Sequence, residues 1–124
     1  MGSYADDALF MSRNNIEYVE LISDDGKSKV MVIPAWQGRV MTTSAAGDEG
    51  DSYGWINYSF IKKRQIDLQF NPVGGEERFW LGPEGGVFSL YFRQGEKQIY
   101  KNWKVPPVLD IEAFKIQSQS KNCI

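Results

Sequence analysis

The chain contains no histidine and a single cysteine, Cys123, second from its end. An intramolecular disulfide is therefore impossible. His/Cys zinc sites, Ser-His-Asp and Cys-His catalysis, and a histidine acid or base supplied by this chain are excluded with it. No apolar run approaches the roughly 20 residues that span a bilayer, so membrane insertion is not expected. The opening "MGSYADDALF" lacks a basic stretch followed by a long apolar one and does not read as a signal peptide. Neither sign of charge dominates: 14 basic and 16 acidic residues give a net charge of −2. That balance offers no general attraction to nucleic acid or to an anionic membrane surface.

What is present is apolar and aromatic content sufficient for a fold. The 124 residues are 42% hydrophobic and 14% aromatic, enough for one domain with a modest core. The pattern is β-rich nearly throughout. "IEYVELIS" alternates, "DDG" at 24–26 supplies a hairpin turn, and "SKVMVIPAW" is an apolar run of strand length closed by Pro34. "GRVMTTSA" reads as a third strand, and "WINYSFI" as a short aromatic strand or turn. "IDLQFNP" sets Ile66, Leu68 and Phe70 on one face. "GVFSLYFRQG", "KQIYKNWKV" and "VLDIEAFKI" supply three further expected strands, with Pro106-Pro107 between the last two. The first dozen residues are the one expected helix. The reading is a single all-β unit over 1–116, with a polar tail, "QSQSKNCI", over 117–124.

The densest chemistry lies in "GGEERFWLGPEGG", residues 74–86. No Lys-Ser/Thr pair follows the glycines, and no helix-opening run of spaced glycines is present, so both nucleotide-loop readings fail. Glu76 and Glu77 are adjacent and point to opposite faces of an extended segment, so they cannot act together as a catalytic pair. Glu77 with Glu84 remains possible across a turn, where about 5–5.5 Å or about 6.5–9.5 Å would suit retaining or inverting glycoside hydrolysis. The alternative is that these glutamates form ion pairs or face water. Arg78 shares a face with Trp80, while Phe79 and Leu81 take the opposite, buried face. A planar donor fork beside an indole suits a sugar, which has hydroxyls at its edge and an apolar C–H face. The structural alternative pairs Arg78 with Glu76 or Glu84 and buries Trp80 in the core. Asp48, Glu49 and Asp51 lie in the loop "GDEGDSYG"; their spacing does not match a calcium loop, and no metal site is assigned.

"KVMVIPAWQGRVMTTSA", "GWINYSFI" and "NPVGGEERFWLGPEGGVFSLYF", with "NW" at 102–103, "PP" at 106–107 and "DIEAF" at 110–114, resemble galactose mutarotase-like β-supersandwich proteins. The likeness covers most of positions 4–116 and is to an uncharacterised branch frequent in Bacteroidetes. It implies an antiparallel β-sandwich matching the N-terminal part of the supersandwich. For the superfamily's epimerases it implies a proton shuttle between a glutamate and a histidine, with an arginine on the sugar hydroxyls, a place where Arg78 would fall. This chain has no histidine, and the glutamate base comes from a later part of that fold. The expectation is a carbohydrate-associated protein, non-catalytic as it stands and without a cofactor. Its expected sugar site is Arg78, Trp80, Glu77 and Glu84, with Asn71 as a hydrogen-bonding neighbour. The alternatives are an aldose epimerase-like or glycoside-processing fragment that needs further residues, and a structural domain with no sugar ligand. A partial sandwich exposes sheet surface, so the chain is expected to self-associate or to be a truncated piece of a longer fold.

Overall fold

A computed structural model describes residues 2–124. Residue 1 of the expected 1–116 unit lies outside them. Helix α1 spans Tyr4–Arg13. Ser3 starts it: its Oγ accepts from Asp6 N at 3.2 Å, and the Asp6 carboxylate accepts from Ser3 N at 3.1 Å. This reciprocal cap satisfies two backbone donors that a helix start leaves free. Asp6 and Asp7 in the first turn and Arg13 in the last complement the helix dipole.

Strands β1 (Val19–Ile22), β2 (Lys29–Ile33) and β3 (Arg39–Ser44) form one antiparallel sheet in the order β1-β2-β3. Val19 faces Val32 and Ile22 faces Lys29, whereas β2 and β3 shift register between Met31 and Val32. The β1–β2 turn is built by Asp25, whose Oδ1 accepts from Ser23 Oγ at 2.6 Å and Lys27 N at 3.0 Å. Gly26, at φ +73°, supplies the left-handed residue that this turn requires. A 3-10 turn over Pro34–Trp36 joins β2 to β3. The period-2 pattern of the sheet buries Met31, Ile33 and Met41 beneath α1, which adds Tyr4 and Met11. Ile56, Ile61 and Val73 complete this core.

The antiparallel β organisation read from the sequence is thus present over 19–44, and the expected first helix is present. Downstream the outcome differs. "WINYSFI" contains a helix, α2 (Tyr58–Lys62), because Asn57 Oδ1 accepts from Phe60 N at 3.2 Å and caps it. The segment 66–70 is not a strand, and Ile66 and Leu68 are exposed. Their alternation finds no neighbouring strand to take the backbone hydrogen bonds. The runs 86–95 and 97–105 likewise form no strands: Lys104 N donates to Tyr91 O at 2.8 Å between them, and Val105 N donates instead to Gln69 O at 3.0 Å. Tyr100–Asn102 forms a 3-10 turn. Within "VLDIEAFKI" the chain opens as α3 (Pro107–Asp110), where Pro107 has the backbone angle of a helix start and no N–H to leave unpaired. A second apolar cluster gathers here, with Tyr91, Val105 and Leu109 packed by Phe70, Trp80, Phe92 and Trp103. The 117–124 tail runs beside the open edge of β1: Ile22 N donates to Lys121 O at 3.0 Å, and Lys121 Nζ donates to Asp24 at 3.2 Å.

Candidate functional site

The glycine pair at 74–75 places the site. Val40 N donates to Glu77 O at 3.0 Å and Glu76 N to Val40 O at 2.9 Å, so the segment lies against β3 for one bridge. Gly74 and Gly75 have φ of +97° and +111°. A Cβ on Gly74 would sit 2.2 Å from Trp55 O, and one on Gly75 would sit 2.9 Å from Arg39 Cδ. Side chains are excluded at both positions by conformation and by space. That close approach lets Arg39 Nη1 donate to Gly74 O at 2.6 Å.

Asp110, at the end of α3, is the hub. Its Oδ2 accepts from Asn71 N at 2.7 Å and Asn71 Nδ2 at 2.8 Å, and its Oδ1 from Arg78 Nη2 at 3.2 Å. Arg39 Nη2 lies 4.0 Å from the same Oδ1. Arg78 Nη2 also donates to Leu109 O. One buried carboxylate therefore serves two guanidiniums. Arg39 is nearly fully buried and is pushed down to about 10, first by burial and then by the charge of Arg78, with Asp110 opposing. The Nε of Arg39 and that of Arg78 are buried without a hydrogen-bond partner among the described residues.

Arg78 and Trp80 do share a face, as their spacing predicts: the guanidinium carbon lies 4.3 Å from the indole centre. Trp80 also stacks on Tyr91 at 5.2 Å, so its ring is engaged by two protein groups. The stack continues to Trp103 at 5.7 Å and from Trp103 to Tyr100 at 6.1 Å, with planes within 10° and 17°. Tyr100 ends the column and is 72% exposed. Tyr91 Oη donates to Leu81 O, and its ionisation is pushed up by burial and then by Glu84. Trp80 Nε1 donates to Glu84 Oε1 at 2.7 Å.

Four of the five expected site residues are thus connected, from Glu84 through Trp80 and Arg78 to Asp110 and Asn71. Glu77 is exposed, and its carboxylate has no hydrogen-bond partner among the described residues. Glu76 accepts from Thr43 N at 2.6 Å and Thr43 Oγ1 at 3.0 Å, a structural cap on β3. Phe79 and Leu81 are exposed, 53% and 39%, rather than buried, because the segment bridges to β3 only at Glu77 and no sheet covers that face. The partner of Arg78 is neither Glu76 nor Glu84 but Asp110. Asp110 and Arg39 escaped the sequence reading; each is a lone charge inside an apolar run, "VLDI" and "GRVM", which was the available signal. In the acidic loop, Asp48 accepts from Lys29 Nζ at 2.6 Å. Among the described residues no three His, Cys, Asp or Glu side chains gather as a metal site.

Two hollows flank the column. One of 610 Å³ is lined by Tyr91, Phe92 and Trp103 with Gln69, Glu96 and Lys101. The other, of 380 Å³, is lined by Glu84, Phe92, Gln98, Ile99, Tyr100 and Trp103. No described helix is long and apolar enough to cross a membrane.

Residues 2–124 match the model of a family of unknown function, DUF6786, and the chain belongs to that family. No curated protein and no solved structure matches it.

Proposed function

We propose that this family member is a carbohydrate-associated, non-catalytic domain that binds sugar on the open end of its aromatic column. The observation that carries the reading is Tyr100, a largely exposed ring backed by Trp103, with Glu84 and Gln98 beside it in the same hollow. A rigid ring presents a flat apolar face to sugar C–H groups, and adjacent carboxylate and amide groups meet the hydroxyls at the edge. The stacking role expected of Trp80 passes to Tyr100, because the Trp80 ring is already packed against Arg78 and Tyr91. Arg78 then acts by positioning Trp80, whose indole in turn holds Glu84. The likeness to galactose mutarotase-like proteins supports the same reading and extends it to a sandwich, of which the β1-β2-β3 sheet would be one part.

Glycan-array screening followed by calorimetry tests this. A glycan bound by the wild type should lose about tenfold in affinity with Tyr100→Ala, the loss of one stacking contact of roughly 1.4 kcal/mol. Arg78→Ala should weaken it less. No binding to any glycan, or binding indifferent to Tyr100→Ala, sinks the site.

A second observation favours self-association as well. Val87, Phe88 and Leu90 are 89%, 83% and 57% exposed within four positions, and such apolar surface favours burial against another copy. Light scattering after size exclusion should report a dimer or larger species; a monomer at low and high concentration excludes it.

A further inference from the structure

A third hollow lies on the other side of Asp110. It has a volume of 380 Å³, within the range of small-molecule sites, and nine of its fifteen lining residues are apolar. Trp36, Phe60 and Ile61 contribute apolar wall, Arg39, Asn71 and Asp110 contribute polar lining, and Arg64 adds a second guanidinium from an exposed position.

The polar groups are unequal in what they have left to offer. Asn71 is used up: its Nδ2 donates to Asp67 O and Asp110 Oδ2, and its Oδ1 accepts from Asp67 N at 2.8 Å. Asp110 already accepts from Asn71 and Arg78. Among the buried side chains of the lining, the unpartnered group is a donor, Arg39 Nε, on a side chain 5% exposed. A donor left unpaired at such depth is costly, and an acceptor that reaches it would be favoured. Charge points the same way. Arg39 and Arg64 against Asp110 leave the lining with a surplus of one positive charge (2 − 1 = 1), and Arg78 adds another behind Asp110. Arg64 also stands at φ +52° after α2, its N–H donating to Ile61 O at 3.1 Å. That is the left-handed residue that closes a helix, where glycine or asparagine is usual and an arginine is strained.

We infer that this hollow binds a small monocarboxylate with an apolar body, its carboxylate against Arg39 and toward Arg64, its body between Trp36 and Phe60. A carboxylate has acceptors only and matches the guanidinium fork. A phosphomonoester, with about −1.5 to −2 charge, exceeds the one surplus charge of the lining itself, since Arg78 is not part of it, and would meet apolar wall on most sides. A polyhydroxylated ligand would set most of its hydroxyls against apolar wall, so this site is separate from the sugar surface at Tyr100.

Hexanoate, its neutral analogue hexanamide and inorganic phosphate are the probes, titrated into the full chain by calorimetry and amide-resonance shifts. Hexanoate should bind saturably and shift resonances at Trp36 and Ile61, with hexanamide about tenfold weaker. Arg64→Ala should weaken hexanoate about threefold, as expected of an exposed charge contact, and leave hexanamide unchanged. Arg39→Gln should abolish the preference for hexanoate; because Arg39 also holds Gly74 O, the Arg64→Ala series keeps the test alive if that variant does not fold. Tyr100→Ala should leave hexanoate binding intact, which separates this site from the sugar reading. Equal affinity for hexanoate and hexanamide, no saturable binding, or phosphate binding in preference to hexanoate overturns the proposal.

Discussion

Asp110 Oδ1 accepts from Arg78 Nη2 at 3.2 Å while Arg39 Nη2 stands 4.0 Å from the same oxygen. The three charges come from β3, the glycine-bridged segment and α3, so this one carboxylate ties the sheet half of the molecule to its irregular half. The geometry gives Asp110 two positive neighbours in a buried setting, and removing its charge leaves both uncompensated. Asp110→Asn, which keeps the shape, should therefore destabilise by about 3 kcal/mol in urea unfolding. Adding Arg78→Met should restore part of that loss, since one of the two stranded charges is then gone. Strictly additive losses would show that the carboxylate matters for its hydrogen bonds to Asn71 and not for its charge.

Gly74 is the second fixed point. Its φ of +97° and the 2.2 Å that would separate a Cβ from Trp55 O leave no room for alanine. Gly74→Ala should cost at least about 2 kcal/mol, combining backbone strain with a displaced strand partner. At Gly85 an added Cβ meets the movable end of Gln98 at 3.2 Å, and Gly85→Ala should stay within about 0.5 kcal/mol. Equal effects at the two positions would mean that the 74–75 approach to β3 is not a constraint on folding.

The helix cap gives a local prediction. Ser3 Oγ is the acceptor for Asp6 N, so Ser3→Ala should lower stability by about 1 kcal/mol, while Ser3→Asp should hold it near the wild type. Thermal unfolding of the three proteins decides it; an unchanged Ser3→Ala midpoint would mean that α1 is held by Tyr4 and Met11 packing alone.

The parts of the fold legible in sequence are those governed by local rules. The helix in the first dozen residues, the "DDG" turn at 24–26 and the strands within "SKVMVIPAW" and "GRVMTTSA" are each set within a few residues, and each is found where the sequence puts it. Alternation at Ile66, Leu68 and Phe70 failed as a guide because a strand also needs a neighbour to take its backbone hydrogen bonds, and none lies alongside. The Arg78–Trp80 pairing was legible because both lie in one extended segment. The link from Arg78 to Asp110 was not, since the two are 32 positions apart and only folding joins them. Exposure was illegible for the same reason: the period-2 rule separates Phe79 from Arg78 but cannot say whether anything covers the face Phe79 takes.

Tyr58 carries the pH prediction. Its hydroxyl donates to Asp7, a buried carboxylate of α1 that also accepts from Ser52. Burial first, then the bond to Asp7, push the phenol from 10.0 up to about 12. Ionised Tyr58 would lose its donor hydrogen and face the Asp7 charge, so the folded state holds the proton more tightly than the unfolded one. Stability linked to this proton is fully present below about pH 10, and is lost as pH rises through about 12. The urea midpoint of the wild type should accordingly fall more steeply across that window than that of Tyr58→Phe, which has no proton to lose. Because the side chain is 40% exposed, solvent screens the effect, and the comparison with Tyr58→Phe is what isolates it from the other groups that titrate there. The difference in phenolate absorbance between the two proteins should grow near pH 12 rather than pH 10. Parallel loss of stability in both proteins, or a difference signal centred at pH 10, would mean that the Tyr58–Asp7 bond does not tie α2 to α1 in solution.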